Sequence, residues 1–376
     1  MTLLRRTLLM VVAMLTMLSL TGAPARAESA EASKAADYIV STFKPGTASP
    51  YGDVGSAADS LLALLSTGDT GHADQVAGIL AYLQANAKAY VSPKSAGTTG
   101  AAKLALGAAA AKADATSFGG IDLIAEITGG IGKDGAFGAY PGPFASGIAM
   151  VALARNGVAI PQTMVDYLLT YQQPRKGTDG GGFGCTTYPF DPSGDCPNAD
   201  PDSTAMAVLG LQAAGTSDAT TAATAALDWL KGMQMADGSW QNYSPVNSTG
   251  LAGPLFPAGS DQATRATAYV VSKQLDSGAL TTGTTTKADL LATQQGIFAL
   301  TGVTYATVGA AGQTSTSPSA SASPSASPSP SPSATPTTGP APVPEPNNLP
   351  VLFGVGAVVL VAGTATGVYL ARKRSR

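Results

Sequence analysis

The chain is short of the side chains that most enzyme chemistries draw on. Its 376 residues include one histidine, His72, so a Ser-His-Asp hydrolase is close to excluded. His72 falls in a turn and is read as an exposed helix-start residue. There are two cysteines, Cys185 and Cys196, eleven apart in one Gly/Pro-rich loop, so no zinc-ligand spacing is present and no metal is expected. A Gly-x-Ser-x-Gly elbow and a lysine-terminated phosphate loop are also missing. Charge is sparse and of the wrong sign for phosphates. Residues 28–313 carry 14 Lys plus Arg against 23 Asp plus Glu, a net charge of −9, which disfavours nucleic-acid binding.

The two ends differ from the middle. Arg5 and Arg6, an apolar run over 8–20 and Ala25-Arg26-Ala27 make residues 1–27 an expected signal peptide. Residues 349–371 are apolar and long enough to cross a bilayer once, and the basic residues 372–376 after them would stay on the cytoplasmic side. Residues 314–348 are nearly all Ser, Pro, Thr and Ala, which suits an extended, disordered stalk. The expectation is a single-pass cell-membrane protein whose body faces outward. The tail has the layout of a sortase signal, but Leu349-Pro350-Val351-Leu352-Phe353 lacks the Thr-Gly needed for transpeptidation, so a membrane anchor is expected in place of wall attachment. In an exported domain a Cys185–Cys196 disulfide is the expected state, with two buried free thiols as the alternative.

What remains, residues 28–313, is long enough for one domain with a substantial core. It contains an internal repeat. Asp134-Gly135-Ala136-Phe137-Gly138, Asp179-Gly180-Gly181-Gly182-Phe183-Gly184 and Asp237-Gly238-Ser239-Trp240 each end a helix-like stretch. Gln172 or Gln173 lies upstream of the second, and Gln234 of the third. After each comes a run of small residues closing on Gly157, Gly215 or Gly278. A period of about 40 to 60 residues suits one helical hairpin plus a loop, and such units must stack on one another to bury their apolar faces.

Leu- and Ala-spaced segments predict helices near 34–43 and 56–66, 73–89 and 100–112, 121–127 and 145–155, 161–171 and 203–214, 220–235 and 262–275, with a closing helix at 287–300. No strand is predicted. The second helix of each pair is richer in alanine and poorer in charge, so second helices should form an inner ring and first helices an outer one. The expected fold is all-α, an α/α toroid of about six hairpins.

The units ending in Gln234-Met235-Ala236-Asp237-Gly238-Ser239-Trp240 resemble the Gln-Trp repeats of the α/α toroid superfamily. That superfamily includes squalene and terpenoid cyclases, protein prenyltransferase β subunits and the helical domain of intrinsic factor and transcobalamin. The likeness covers residues 30–305, and it implies the toroid fold. Asp200-Pro201-Asp202-Ser203-Thr204-Ala205 resembles the Asp-x-Asp-Asp-Thr-Ala motif of class II terpenoid cyclases, which implies Asp202 as general acid with Asp200 supporting it. Ser203 departs from the motif, and the cyclases use two helical domains. A carboxylate at Asp202 would also cap the helix that follows.

The resemblance to intrinsic factor implies a corrinoid ligand. There the ligand is shared with a second, small β domain, which a separate protein would have to supply here. The turn aromatics Phe137, Phe183 and Trp240 are read as wedges between hairpins, and Tyr140, Tyr188 and Tyr243, further along the loops, as ligand contacts. With Asp200, Asp202 and Asp261 they should meet at the end of the barrel where the inner helices start. The expected role is a surface-anchored binding or scaffold module for an apolar or amphipathic ligand, corrinoid- or isoprenoid-like, or for a partner protein. No cofactor is expected. The alternative is a terpenoid-cyclase-like enzyme.

Overall fold

A computed structural model describes residues 29–44, 51–176, 180–194 and 196–310. The expected signal peptide, stalk, membrane span and basic tail lie outside the described residues. Among the described residues there are twelve α-helices and no strand, and pairing between extended segments is limited to isolated bridges. No described helix is long and apolar enough to cross a membrane.

The helices alternate between two roles. The even members are α2 (Val54–Thr67), α4 (Gly97–Ala110), α6 (Pro143–Arg155), α8 (Pro201–Ala214), α10 (Pro245–Ala252) and α12 (Leu290–Thr301). Each packs on the next, and α12 packs back on α2, so the six close into a ring. The odd members are α1 (Ala30–Ser41), α3 (Ala73–Tyr90), α5 (Leu123–Gly129), α7 (Gln162–Leu169), α9 (Ser217–Met233) and α11 (Asp261–Ser272). These lie against the inner ring, α1 bridging α12 and α2. Composition explains the split. Inner helices such as α4 and α12 are buried almost all round, whereas α9 and α11 bury one stripe and keep a polar face. The twelve helices form six hairpins with the arrangement of a helical toroid.

The repeated turn is a clamp between neighbouring hairpins. The Gln172 side-chain amide donates to the carbonyls of Gly181 (2.9 Å) and Ala222 (3.0 Å), the latter on the next outer helix. Gln234 does the same to Gly238 and Gln262, and Gln274 to Gly278 and Glu31. The backbone N–H of Phe183, Trp240 or Leu280 then donates to a threonine hydroxyl on the following inner helix: Thr204, Thr249 or Thr293. One residue type thus ties three helices and satisfies backbone groups that the turn leaves open. The last clamp closes the circle. Gly278 has φ +85°, and a Cβ there would meet the Lys34 carbonyl oxygen at 2.1 Å, so only glycine lets the sixth turn sit on α1.

Two assignments differ from the pattern expected at 220–300. The inner helix after Trp240 is the short α10, while 262–275, expected as an inner helix, holds the outer helix α11. Pro245 starts α10 and Gly253-Pro254 ends it as a 3-10 turn (Gly253–Leu255), so the helix hides between residues that usually mark a loop. Consequently 287–300 is no leftover closing helix. It is the inner member of a complete sixth pair, and Gly278 belongs to that pair's turn.

Phe137, Phe183 and Trp240 are fully buried. Trp240 donates its indole N–H to the Leu230 carbonyl (2.7 Å) and stacks on Phe256 at 5.8 Å, so it is held between α9 and the segment that follows α10.

Candidate functional site

The inner-helix starts and the loops leading into them share one end of the ring, called here the mouth. Its acidic pair is set by the first turn of α8. Asp200 is the N-cap, its carboxylate accepting from the Ser203 N–H at 2.8 Å. Capping, expected at Asp202, therefore falls on Asp200. That leaves Asp202 inside the first turn with its carboxylate free for something else. Oδ2 accepts from the Asn242 amide at 2.9 Å. Oδ1 is buried and has no hydrogen-bond partner among the described residues, although the residue as a whole keeps an exposed edge. Burial, then the neighbouring Asp200 carboxylate, pushes the Asp202 carboxyl up to about 7. Hydrogen bonding from Ser248 and Asn242 pulls the other way, the Ser248 hydroxyl also lying 3.4 Å from the Ser244 carbonyl. Burial raises Asp200 as well, against the pull of its Ser203 contacts. Near neutral pH the mouth thus holds a carboxyl group balanced between its two protonation states.

The loop tyrosines stand outside the core. Tyr243 is 88 % exposed, Tyr140 58 % and Tyr188 39 %, and Tyr51 in the first turn is exposed too. Tyr243 follows Asn242 directly, and its N–H donates to the Asn242 side chain. Tyr188 packs edge-on against Phe190 at 5.3 Å, in the loop that the Cys185–Cys196 disulfide closes. The Tyr171 hydroxyl donates to the Pro141 carbonyl and so ties the Tyr140 loop to the end of α7. Asp261 is placed differently: as the first residue of the outer helix α11 it is exposed and paired with Arg265 at 3.2 Å, one helical turn on. Arg265 continues to the Gln234 side chain, so this pair belongs to a clamp between outer helices.

His72, expected to be exposed, is largely buried, with side-chain exposure of 13 %. It sits between Asp37 (3.0 Å) and Asp69 (3.4 Å) and joins α1 to the turn before α3. No group of three or more metal-ligating side chains occurs among the described residues.

A second charged site, at the centre of the ring, escapes sequence reasoning. Asp59 of α2 and Lys103 of α4 form a buried ion pair at 2.7 Å. Burial alone would lower the Lys103 ammonium, and the Asp59 carboxylate more than offsets that, holding it raised and protonated. The pair lines a cavity of about 10 Å³ with Leu62, Leu106, Phe144, Ile148, Gln295 and Tyr305, room for roughly one water. One signal was legible: Asp59 and Lys103 are the lone charges in helices otherwise made of small and apolar residues.

No curated protein matches the chain. Residues 132–258 match the profile of the family described as the squalene-hopene cyclase C-terminal domain. That segment runs from the Phe137 turn to just past the 3-10 turn after α10, and includes all three aromatic turns and the Asp200/Asp202 pair. Over this stretch the chain is similar to the squalene-hopene cyclase C-terminal domain, an α/α toroid domain of terpenoid-cyclase type.

Proposed function

We propose that the chain is an exported binding module, held at the cell surface by its C-terminal apolar run, that takes an apolar or amphipathic ligand at the mouth of the ring. The supporting observation is the contrast between ring centre and mouth. Among the described residues the centre shows a cavity of about 10 Å³, too small for an isoprenoid or a corrinoid, whereas the loops at the mouth expose Tyr140, Tyr188 and Tyr243, the last next in sequence to the Asn242 that bonds the raised Asp202 carboxyl. Tyrosine supplies broad apolar contact with a polar tip, and Asp202 can donate or accept according to its protonation. A partner protein docking on the same loops is the other occupant this surface suits.

The test is a thermal-shift panel with cobalamin, polyprenyl compounds and glycans, run on the chain and on a variant with Tyr140, Tyr188 and Tyr243 changed to Ala. Binding raises the melting temperature by mass action. A rise with a polyprenyl or corrinoid compound that the triple variant loses supports the reading. A rise that survives in the triple variant, or none with any compound, counts against a small-molecule mouth.

A second reading has its own observation. The partnerless Asp202 Oδ1, on a carboxyl raised by burial, has the properties of a Brønsted acid that could protonate an alkene. Incubation with polyprenyl substrates, followed by product analysis, decides it. Cyclised product that disappears in Asp202→Asn makes the chain an enzyme, and absence of product in both leaves the binding role.

A further inference from the structure

The opposite end of the ring is shut by a segment that belongs to no hairpin. After α12 the chain turns at Gly302 and crosses beneath the inner helices. α12 lies three places from α6 in the ring, yet residues 305–309 reach both α6 and α4. Arg155, the last residue of α6, donates through its guanidinium to the Tyr305 carbonyl (2.9 Å) and to that of Val308. Gly309, at φ +71°, lies so close to the end of α4 that a Cβ there would meet the Ala110 carbonyl oxygen at 2.0 Å. Tyr305 turns its ring inward, edge-on to Phe298 at 5.0 Å, and forms part of the wall of the central cavity beside Asp59 and Lys103.

Within the strap a short turn forms. Thr304 and Thr307 bond each other through backbone and hydroxyl groups, and the Val308 N–H donates to the Thr304 carbonyl. It is a short turn laid across a ring whose six inner helices already close on one another, with Tyr305 and Val308 buried against that ring. Buried charge needs that cover. An ion pair opened to water loses the low-dielectric setting that makes its geometry binding, and a polar interior hydrates readily once a path exists.

We propose that residues 302–310 are a detachable floor, a strap that seals the ring's lower end over the Asp59–Lys103 pair and whose displacement opens the interior to solvent without unfolding the ring. This is independent of what binds at the mouth. The stalk-like sequence begins within a few residues of the strap, so a pull or a bound partner on that side would act on the strap first.

The test uses the full chain and an amine-acetylating ester, reading Lys103 by peptide mass spectrometry against the exposed Lys88 as reference. Arg155→Ala removes the tie from α6. Gly309→Val forces the strap away from α4 without touching a cavity-lining residue. In the unsubstituted chain Lys103 should stay protected. Both variants should acetylate it roughly tenfold faster, while α2 and α4 amides keep their protection from hydrogen exchange, since a local opening exposes only the segment that opens. If Lys103 stays protected in both variants, or is acetylated only together with loss of protection across α2 and α4, the strap is a fixed part of the ring and the proposal fails.

Discussion

The ring holds two buried carboxylates on inner helices, Asp59 at its centre and Asp202 at its mouth, and they differ by one lysine. Asp59 faces Lys103 at 2.7 Å, and although burial pushes the Asp59 carboxyl up, the ammonium beside it pulls the other way and answers its charge. Asp202 faces the Asn242 amide, the Ser248 hydroxyl and a second carboxylate, with no cation to answer its charge, and its Oδ1 makes no close hydrogen bond among the described residues. The same residue type in the same layer of the fold therefore does opposite work. At the centre it fixes how α2 and α4 meet. At the mouth it leaves a group that folding alone does not explain, which is where a ligand or a reaction has to be sought.

The largest effect should come from breaking the central pair. Lys103→Met leaves Asp59 buried without a counter-charge and should cost about 3–5 kcal/mol in unfolding free energy, measured by denaturant titration. The double change Asp59→Leu with Lys103→Met should recover most of that loss or exceed the original stability, because two apolar groups of similar size avoid desolvating two charges. If the double variant remained as weak as the single one, the pair would be doing more than holding two helices together.

The mouth should respond to pH instead. The Asp202 carboxyl moves from its ordinary value of 3.8 up to about 7 in the fold, so between these values the folded chain binds a proton that the unfolded chain has released. Its contribution therefore favours folding at low pH and is lost as pH rises toward 7, with a slope of at most about 1.4 kcal/mol per pH unit. Asp202→Asn should remove that slope, making the variant more stable than the parent at pH 8 and nearer to it at pH 4. Melting curves at the two pH values read this directly. Equal pH profiles for both proteins would mean that Asp202 is hydrated and the contrast with Asp59 is lost.

The sequence makes this layout readable in proportion to how local each feature is. Ala- and Leu-spaced helices, the upstream Gln234 and the Asp-Gly-aromatic turns are encoded within a few residues, so the helical ring and its buried turn aromatics could be foreseen. Three features could not. α10 lies between Pro245 and Gly253-Pro254, punctuation that reads as loop until neighbours bury it. The Gln274 clamp carries Leu280 where its relatives carry an aromatic, so a search keyed to aromatics passes over it. Asp59 and Lys103 lie 44 positions apart and meet only because consecutive inner helices become neighbours. At Asp200 and Asp202 the division of labour turns on which residue falls at the N-cap, a difference of two positions that helix patterning does not resolve.

Asp261 supplies the smallest effect and the control for both comparisons. It is a carboxylate with a partner, as Asp59 is, yet exposed, its Arg265 partner one turn along the same outer helix. In water the Coulomb gain of such a pair is screened and is offset by the entropy of holding two long side chains together, so Asp261→Asn should change stability by no more than about 0.5 kcal/mol. It should also leave the pH profile unaltered. Mouth binding should be untouched as well, because Asp261 heads an outer helix engaged in the Gln234 clamp and pairs with Arg265, whereas Asp202 bonds Asn242. Lys103→Met, Asp202→Asn and Asp261→Asn measured side by side would then rank three carboxylate sites by burial and partner alone: paired and buried, unpaired and buried, paired and exposed. A loss above about 1 kcal/mol for Asp261→Asn would show that the outer clamp depends on Arg265 being held by its neighbour. The ring's stability would then rest on its outer wall as much as on its centre.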